Sequence, residues 1–149
     1  TEEQLRAQLK RLLESQKMTE QEAECIRIRD IRRFVESGLG QRMKKASMKK
    51  HLYREQPFVI QRNASMLDDG WKNETVLVQG IIDAYFMEEE EIVLVDYKTD
   101  RVKRGQEQKL INLYHVQLED YARALERMTG KRVKEKIIYS FTLQKEILL

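Results

Sequence analysis

The pattern of apolar and polar positions changes character once along this chain. Up to about residue 54, apolar residues recur every three or four positions. Beyond it they alternate or run in short blocks, until one long helical pattern returns near residue 108. Residues 1–17 place Leu5, Leu9, Leu12 and Leu13 at helical spacing among charges, which predicts a surface or connecting helix. Thr19 followed by Glu22 is a capping-box pattern and predicts a second helix. Ile28, Ile31, Phe34 and Val35 form its apolar stripe, and Gly38 and Gly40 predict its end. A short basic helix is expected over about 39–50.

Pro57, the only proline, cannot sit inside a helix and marks the change of regime. Residues 58–62 read as a strand and 63–73 as a polar loop turning at Asp68-Asp69-Gly70. A long strand over 75–87, an acidic turn over 88–91 and a strand over 92–98 make a hairpin. Residues 99–106 form a polar loop. Over 108–128, Leu110, Tyr114, Gln117, Tyr121, Leu125 and Met128 recur along one helix face, and Gly130 ends the pattern. A last strand over 134–142 alternates Ile137, Tyr139 and Phe141. The long helix can carry a crossover between parallel strands, whereas hairpin strands are antiparallel. The expectation is an α/β chain of the α+β, mixed-sheet kind. A central four-stranded sheet is flanked by helices, with a helical part over 1–54 and the sheet-bearing core over 55–149.

Composition narrows the function classes. The chain has 149 residues, 41% hydrophobic and 36% charged, enough for one domain with a core. No apolar run approaches the roughly 20 residues that span a bilayer, so no membrane association is expected. Cys25 is the only cysteine, which excludes an internal disulfide and a cysteine-based zinc cluster and makes the cytoplasm the expected compartment. The chain begins at Thr1 without a secretory signal and is expected to be a piece of a longer protein. Net charge is only +3, but Arg42, Lys44, Lys45, Lys49, Lys50 and Arg54 gather in one segment. Such a cluster reads either as a phosphate-binding patch or as a solvated helix face.

The hairpin carries the chemistry. Asp83, Asp96 and Lys98 lie in apolar strands, where charge is costly unless paired or bound to a metal. Side chains alternate along a strand, so Asp83 is expected to share a face with Leu77, Gln79, Ile81 and Tyr85. Asp96 is expected to share one with Ile92, Leu94 and Lys98. A lysine two positions after the aspartate stays on its side, which the Asp96-x-Lys98 spacing satisfies. Adjacent strands lie about 4.8 Å apart, so two facing carboxylates can hold one Mg²⁺ or Mn²⁺, with the Tyr97 carbonyl as a further oxygen. The metal would polarise a phosphate and Lys98 would stabilise the developing charge. The plainer reading is a cross-strand Asp–Lys pair, worth about 0–1 kcal/mol if exposed. Gly80 in mid-strand fits either a bulge or close approach by another group.

Gly80-Ile81-Ile82-Asp83, then Asp96-Tyr97-Lys98-Thr99, then Gln117-Leu118-x-x-Tyr121 resemble the three motifs of the RecB-family nucleases of the PD-(D/E)XK superfamily. The wording VQGIIDAYF and LVDYKTDRV is most similar to the nuclease domains of AddAB-type bacterial helicase–nucleases. The resemblance runs from about Arg54 to the end. It implies a restriction-endonuclease-like core, Asp83, Asp96 and the Tyr97 carbonyl as metal ligands, and Lys98 as the catalytic lysine. It places Gln117 and Tyr121 at the site from the following helix. Glu55, in Arg54-Glu55-x-Pro57-Phe58, also resembles a family feature, with a structural or supporting role. The family supplies a further ligand, a histidine, from a more N-terminal helix. His51 and His115 do not match it, so that helix is expected to lie outside this chain, and the chain by itself is expected to bind metal at Asp83 and Asp96 weakly and to cleave weakly or not at all.

The implied activity is a Mg²⁺-dependent exonuclease acting on single-stranded DNA in double-strand-break repair. ATP-driven motor domains elsewhere in the parent protein would deliver the strand, and an AddB-like second subunit would be the partner. No GxxxxGK[ST] occurs here, so ATP binding is not expected of this chain. Lys49, Lys50, Arg54, Arg101, Lys103 and Arg104 are the candidate DNA-backbone contacts. The alternatives are a catalytically silent nuclease-like domain that binds DNA or a partner, and a stand-alone endonuclease.

Overall fold

The structure, a computed structural model, describes residues 1–25, 27–63 and 74–149, with the side chains of 22, 24 and 25 excepted. The Asp68-Asp69-Gly70 turn lies outside the described residues, and so does the Glu22 side chain of the capping pattern. The chain divides into two compact units, Thr1–Lys44 and Lys45–Leu149.

The first unit holds α1 (Glu2–Glu14), α2 (Glu20–Cys25), α3 (Ile28–Glu36) and the start of α4 (Gly38–Met48). The single helix expected after Thr19 is two helices, because Arg27 is extended at φ −87°, ψ 97°. Gly38 and Gly40 do not lie beyond a helix end; they open α4. Ser37 is the reason. Its hydroxyl donates to Phe34 O at 2.6 Å, closing α3, and accepts from Gly40 N at 3.1 Å, capping α4. A Cβ on Gly40 would stand 2.1 Å from Phe34 O, so only glycine permits so tight a passage between these helices.

The second unit is a mixed sheet in the order β1-β2-β3-β4-β5, with α5 (Glu107–Thr129) packed on one face. The strands are β1 (Leu52–Asn63), β2 (Thr75–Glu88), β3 (Glu91–Lys98), β4 (Val133–Ser140) and β5 (Lys145–Leu148). As expected, β2 and β3 form an antiparallel hairpin and α5 carries the crossover between parallel β3 and β4. Among the described residues the sheet has five strands rather than the four expected. β5 is a four-residue antiparallel edge strand in which only Ile147 is buried, too little apolar pattern to announce itself. β1 starts at Leu52 and runs through Pro57, which an edge strand tolerates.

The core lies between α5 and the sheet. Leu110, Leu118, Tyr121 and Leu125 of α5 meet Phe58, Ile60, Ile82, Leu94 and Ile138. Met128, placed in the buried stripe by its spacing, is half exposed at the last turn of the helix. The β2–β3 turn is Glu89-Glu90, with φ of 48° and 73°, the geometry of a two-residue type I′ turn. Its acids are met from the β4 side: Glu90 pairs with Lys131, Glu91 with Arg132 at 3.6 Å and Glu88 with Lys134 at 3.0 Å.

Strict alternation fails at one place on β1 and β2. Val59, Leu77 and Ile81 are exposed, whereas Tyr85 and Met87, of the same parity as Leu77 and Ile81, pack into the α5 core. Ile82 and Tyr85 therefore reach the same core although three residues apart. The break falls at Asp83, and on β1 at Glu55, whose φ is +50°. Arg54 pairs with Ala84 and Gln56 with Ile82, so Glu55 and Asp83 stand opposite each other and are the one gap in that ladder. Both strands change facing there, as bulged or kinked strands do. The expectation that Asp83 shares a face with Leu77, Gln79, Ile81 and Tyr85 together is corrected accordingly.

Candidate active site

The β2–β3 ladder runs from Glu88↔Glu91 to Ala84↔Val95 and stops. One step further, Asp83 would face Asp96. Instead the Tyr97 N–H donates to Asp83 Oδ2 at 2.8 Å, so a side chain takes the place of a ladder carbonyl. The N–H and C=O of one residue in a strand point to the same edge. The Tyr97 carbonyl therefore faces Asp83, while the next carbonyl, Lys98 O, accepts from Phe141 N on the β4 side at 2.9 Å.

Asp96 is buried, 3% exposed, on the face that α5 covers. Its Oδ2 lies 2.7 Å from Lys98 Nζ as an ion pair, yet no hydrogen-bond donor is aligned on that oxygen. Burial pushes the Asp96 carboxyl above the ordinary range. Lys98 pulls it down and the neighbouring Asp83 adds to the rise. The site thus holds an anion that its own lysine does not fully compensate.

Lys98 is fixed by more than the aspartate. Its ammonium donates to Gln117 Oε1 at 3.1 Å and lies 4.0 Å from the ring centre of Tyr114, a cation–π contact. The Tyr114 hydroxyl donates to Asp100 Oδ1 at 2.8 Å, and that bond raises the phenol pKa. Tyr121, one turn beyond Gln117, is buried with its ring edge-on to Phe58 at 5.0 Å between centres. Burial raises its phenol, and the charges of Asp96 and Asp83 raise it further. Gly80 makes this wall possible: a Cβ there would stand 2.9 Å from the Phe58 ring.

The structure therefore brings Asp83, Asp96, Tyr97, Lys98, Gln117 and Tyr121 together. The candidate DNA contacts Lys49, Lys50, Arg54, Arg101, Lys103 and Arg104 are all exposed. Of these, Arg54 comes near the site, since its charge reaches the Tyr97 phenol. Burial pushes that phenol up to about 12, with Arg54 pulling down and Asp83 up. Glu55 is exposed, and its contribution here is the left-handed backbone across from Asp83. His51 sits beside Met87 and Glu90 at the turn end of the hairpin, and His115 leans back on its own helix, 3.2 Å from Ile111 O. Among the described residues no group of three or more His, Cys, Asp or Glu is arranged to hold a metal.

Sequence reasoning missed the chemistry of Tyr114 and Asp100, and the buried ion pair of Arg62 with Asp120 at 3.1 Å. From its spacing Tyr114 reads only as core. Its signal is its position three residues before Gln117 on the same helix face. Arg62 and Asp120 are 58 positions apart and leave no local signal.

A family model described as the PD-(D/E)XK nuclease superfamily matches residues 1–147. Among curated proteins, the chain is 39% identical over 99% of its length to the A subunit of an ATP-dependent helicase/nuclease from Clostridium novyi (strain NT), covering 12% of that protein. It is 43% identical over 93% of its length to the namesake of that protein in Acetivibrio thermocellus, and 41% over 92% to that in Thermoanaerobacter sp. (strain X514), covering 11% of each. The chain thus spans about an eighth or less of the curated relatives it matches. The match across nearly the whole chain, on a mixed sheet that seats paired aspartates and a lysine at the end of one hairpin, establishes that this chain belongs to the PD-(D/E)XK nuclease superfamily.

Proposed function

We propose that this chain is the metal-dependent DNA-cleaving domain of an ATP-dependent helicase–nuclease, an exonuclease hydrolysing phosphodiester bonds of single-stranded DNA. The observation that carries the proposal is Asp96: a buried carboxylate beside Asp83, under-compensated by a lysine that Gln117 and Tyr114 hold in place. A buried anion left short of partners costs stability, and a site that binds a cation gives that cost a use.

Asp83, Asp96 and the Tyr97 carbonyl form an all-oxygen set, which suits Mg²⁺ or Mn²⁺ rather than a thiophilic metal. Such an ion supplies the positive centre that activates water and neutralises phosphate charge. The chain's own groups do the rest. Lys98 presents an ammonium to the non-bridging phosphate oxygens as negative charge builds there. Gln117 and Tyr114 hold that ammonium, and Tyr121 closes the wall behind the acids. Lys49, Lys50, Arg54, Arg101, Lys103 and Arg104 contribute sequence-blind, salt-sensitive attraction for the backbone. Motor domains of the parent protein, where ATP is used, would feed the strand, and the partner would be an AddB-like second subunit. The relatives' printed name and the chain's small share of their length support that setting. A cytoplasmic location follows from the proposed substrate, the cell's own DNA. No described helix is long and apolar enough to cross a membrane.

One second reading is a nuclease-like domain that binds DNA without cutting it, and its warrant is that neither His51, at the turn end of the hairpin, nor His115, on its own helix, stands with the acids. Cleavage of end-labelled single-stranded DNA with Mg²⁺ or Mn²⁺, by a protein that extends this chain at its N-terminus, separates the two. Asp96→Ala and Lys98→Ala should each lower the rate by on the order of 10²–10³-fold or more with circular dichroism unchanged. Cleavage at wild-type rate in either variant overturns the catalytic reading.

A further inference from the structure

Arg62 joins two cavities on the flank of α5 that faces the edge strand β1. The first, about 260 Å³, is walled by Phe58, Val78, Val116, Gln117 and Tyr121, and so adjoins the Lys98 site through Gln117. The second, about 330 Å³, lies further along the helix and is lined by Arg62, Arg123, Arg127, Glu126, Ile60 and Gln61. Both open to solvent. The charge in the second is unusual for a structural surface. Arg123 and Arg127 are exposed, four apart on one helix face, and carry no ion pair among the described residues. Like charges at that spacing oppose the helix slightly. Glu126 supplies one carboxylate against these two arginines, so the cluster stays net positive. Arg62 is mostly buried with its Nε unpartnered, while its Nη1 pairs with Asp120.

We infer that this flank of α5 is a binding track for single-stranded nucleic acid, with Arg123 and Arg127 as phosphate contacts and the first cavity taking a base between its apolar wall and the polar groups of Gln79, Gln117 and the Arg62–Asp120 pair. The inference rests on the nuclease reading only for the direction of the strand, toward Gln117 and Lys98. The chemistry favours such a ligand over a free anion. An extended polyanion needs cations spaced along a path, and Gln117 to Arg127 spans about 15 Å of helix. A base needs an apolar wall nearby, and Val78, Val116 and the Phe58 ring supply one. None of these cations falls in the basic segments at 42–54 or 101–104, so the track is a separate contact surface.

The test is fluorescence anisotropy of a labelled oligothymidylate with the full chain, titrated across salt. Arg123→Gln/Arg127→Gln should weaken binding on the order of tenfold and flatten the slope of log K against log salt by about 1.4, two phosphates' worth. The charge-matched control Lys131→Gln/Arg132→Gln, at the hairpin end, should change affinity less than twofold. An unchanged slope, an equal loss in the control, or no binding by the wild-type chain overturns the inference. Hydrolysis of bis(4-nitrophenyl) phosphate, too small to reach the track, is the separate readout of the nuclease reading. The double variant should keep it, whereas Lys98→Ala should lose it.

Discussion

Lys98 shows how much of this site is decided by neighbours of a functional residue. A lysine ammonium on a four-carbon stem has many rotamers, and holding it costs side-chain entropy. Here three groups constrain it: the Asp96 carboxylate, the Gln117 amide oxygen and the Tyr114 ring, itself tied to Asp100. Cation–π contacts of partly desolvated groups are worth about 0.5–2 kcal/mol, a factor of roughly 2 to 30. Tyr114→Phe keeps the ring and loses only the Asp100 bond, so cleavage should fall no more than a few-fold. Tyr114→Ala should fall about tenfold more, read as single-turnover rates on labelled single-stranded DNA. Equal rates for the two variants would show that the ring does not hold the lysine.

At the scale of elements, the hairpin is a lever that is pinned at one end and opened at the other. Its turn uses two glutamates with positive φ, a conformation that costs non-glycine residues something. Ion pairs to Lys131, Arg132 and Lys134 tie that turn to the start of β4. The Lys131 ammonium holds the Glu90 carboxyl below its usual value of 4.5. A depressed carboxyl stabilises the fold above its unfolded pKa, and the effect is lost as pH falls through the folded value. Glu90→Gln should therefore lower Tm at pH 7 by a small amount that added salt reduces, and the difference should shrink as the pH falls from 7 to 3. Differential scanning calorimetry at the two pH values reads this directly. At the other end the ladder stops at Ala84↔Val95, and the strands give their edges to Asp83 and Tyr97. The kink at Glu55 and Asp83 turns β2 so that residues on both sides of it reach the α5 core.

For the whole molecule, the second unit is organised so that the covering helix of the sheet is also a wall of the site. α5 buries Leu110, Leu118 and Leu125 against the strands, and between these layers it presents Tyr114 and Gln117 to Lys98 of β3 and Tyr121 to Phe58 of β1. A ligand that binds only the folded state raises its stability by RT ln(1 + [L]/Kd). With a further histidine ligand expected outside this chain, Mg²⁺ at about 10 mM should raise the Tm of the wild-type chain only slightly, and Asp96→Ala should abolish that shift. Ca²⁺ should give a shift as well, without cleavage, if the site binds hard cations through oxygen alone. An identical Mg²⁺ shift in the variant would place the binding elsewhere.

The sequence alone determined the parts that depend on local spacing. Period-two and period-3.6 patterns gave the hairpin, the long helix and the parallel crossover. The two-residue step from Asp96 to Lys98 gave their common side, because facing in a regular strand follows from parity. Gly80-Ile81-Ile82-Asp83, Asp96-Tyr97-Lys98 and Gln117-Leu118-x-x-Tyr121 gave the family, since ordered motifs survive in one dimension. Only the tertiary structure decided where parity fails. The left-handed Glu55 across from Asp83 reset both strands, and a backbone irregularity leaves no hydrophobic period to read. The glycines at 38 and 40 were legible as punctuation, but whether they ended one helix or began the next depended on Ser37 capping in space. The grip of Tyr114 and Gln117 on Lys98, and the pairing of Arg62 with Asp120, join residues 16 to 58 positions apart. Such contacts are set by how α5 lies across the sheet, which is a property of packing rather than of any segment.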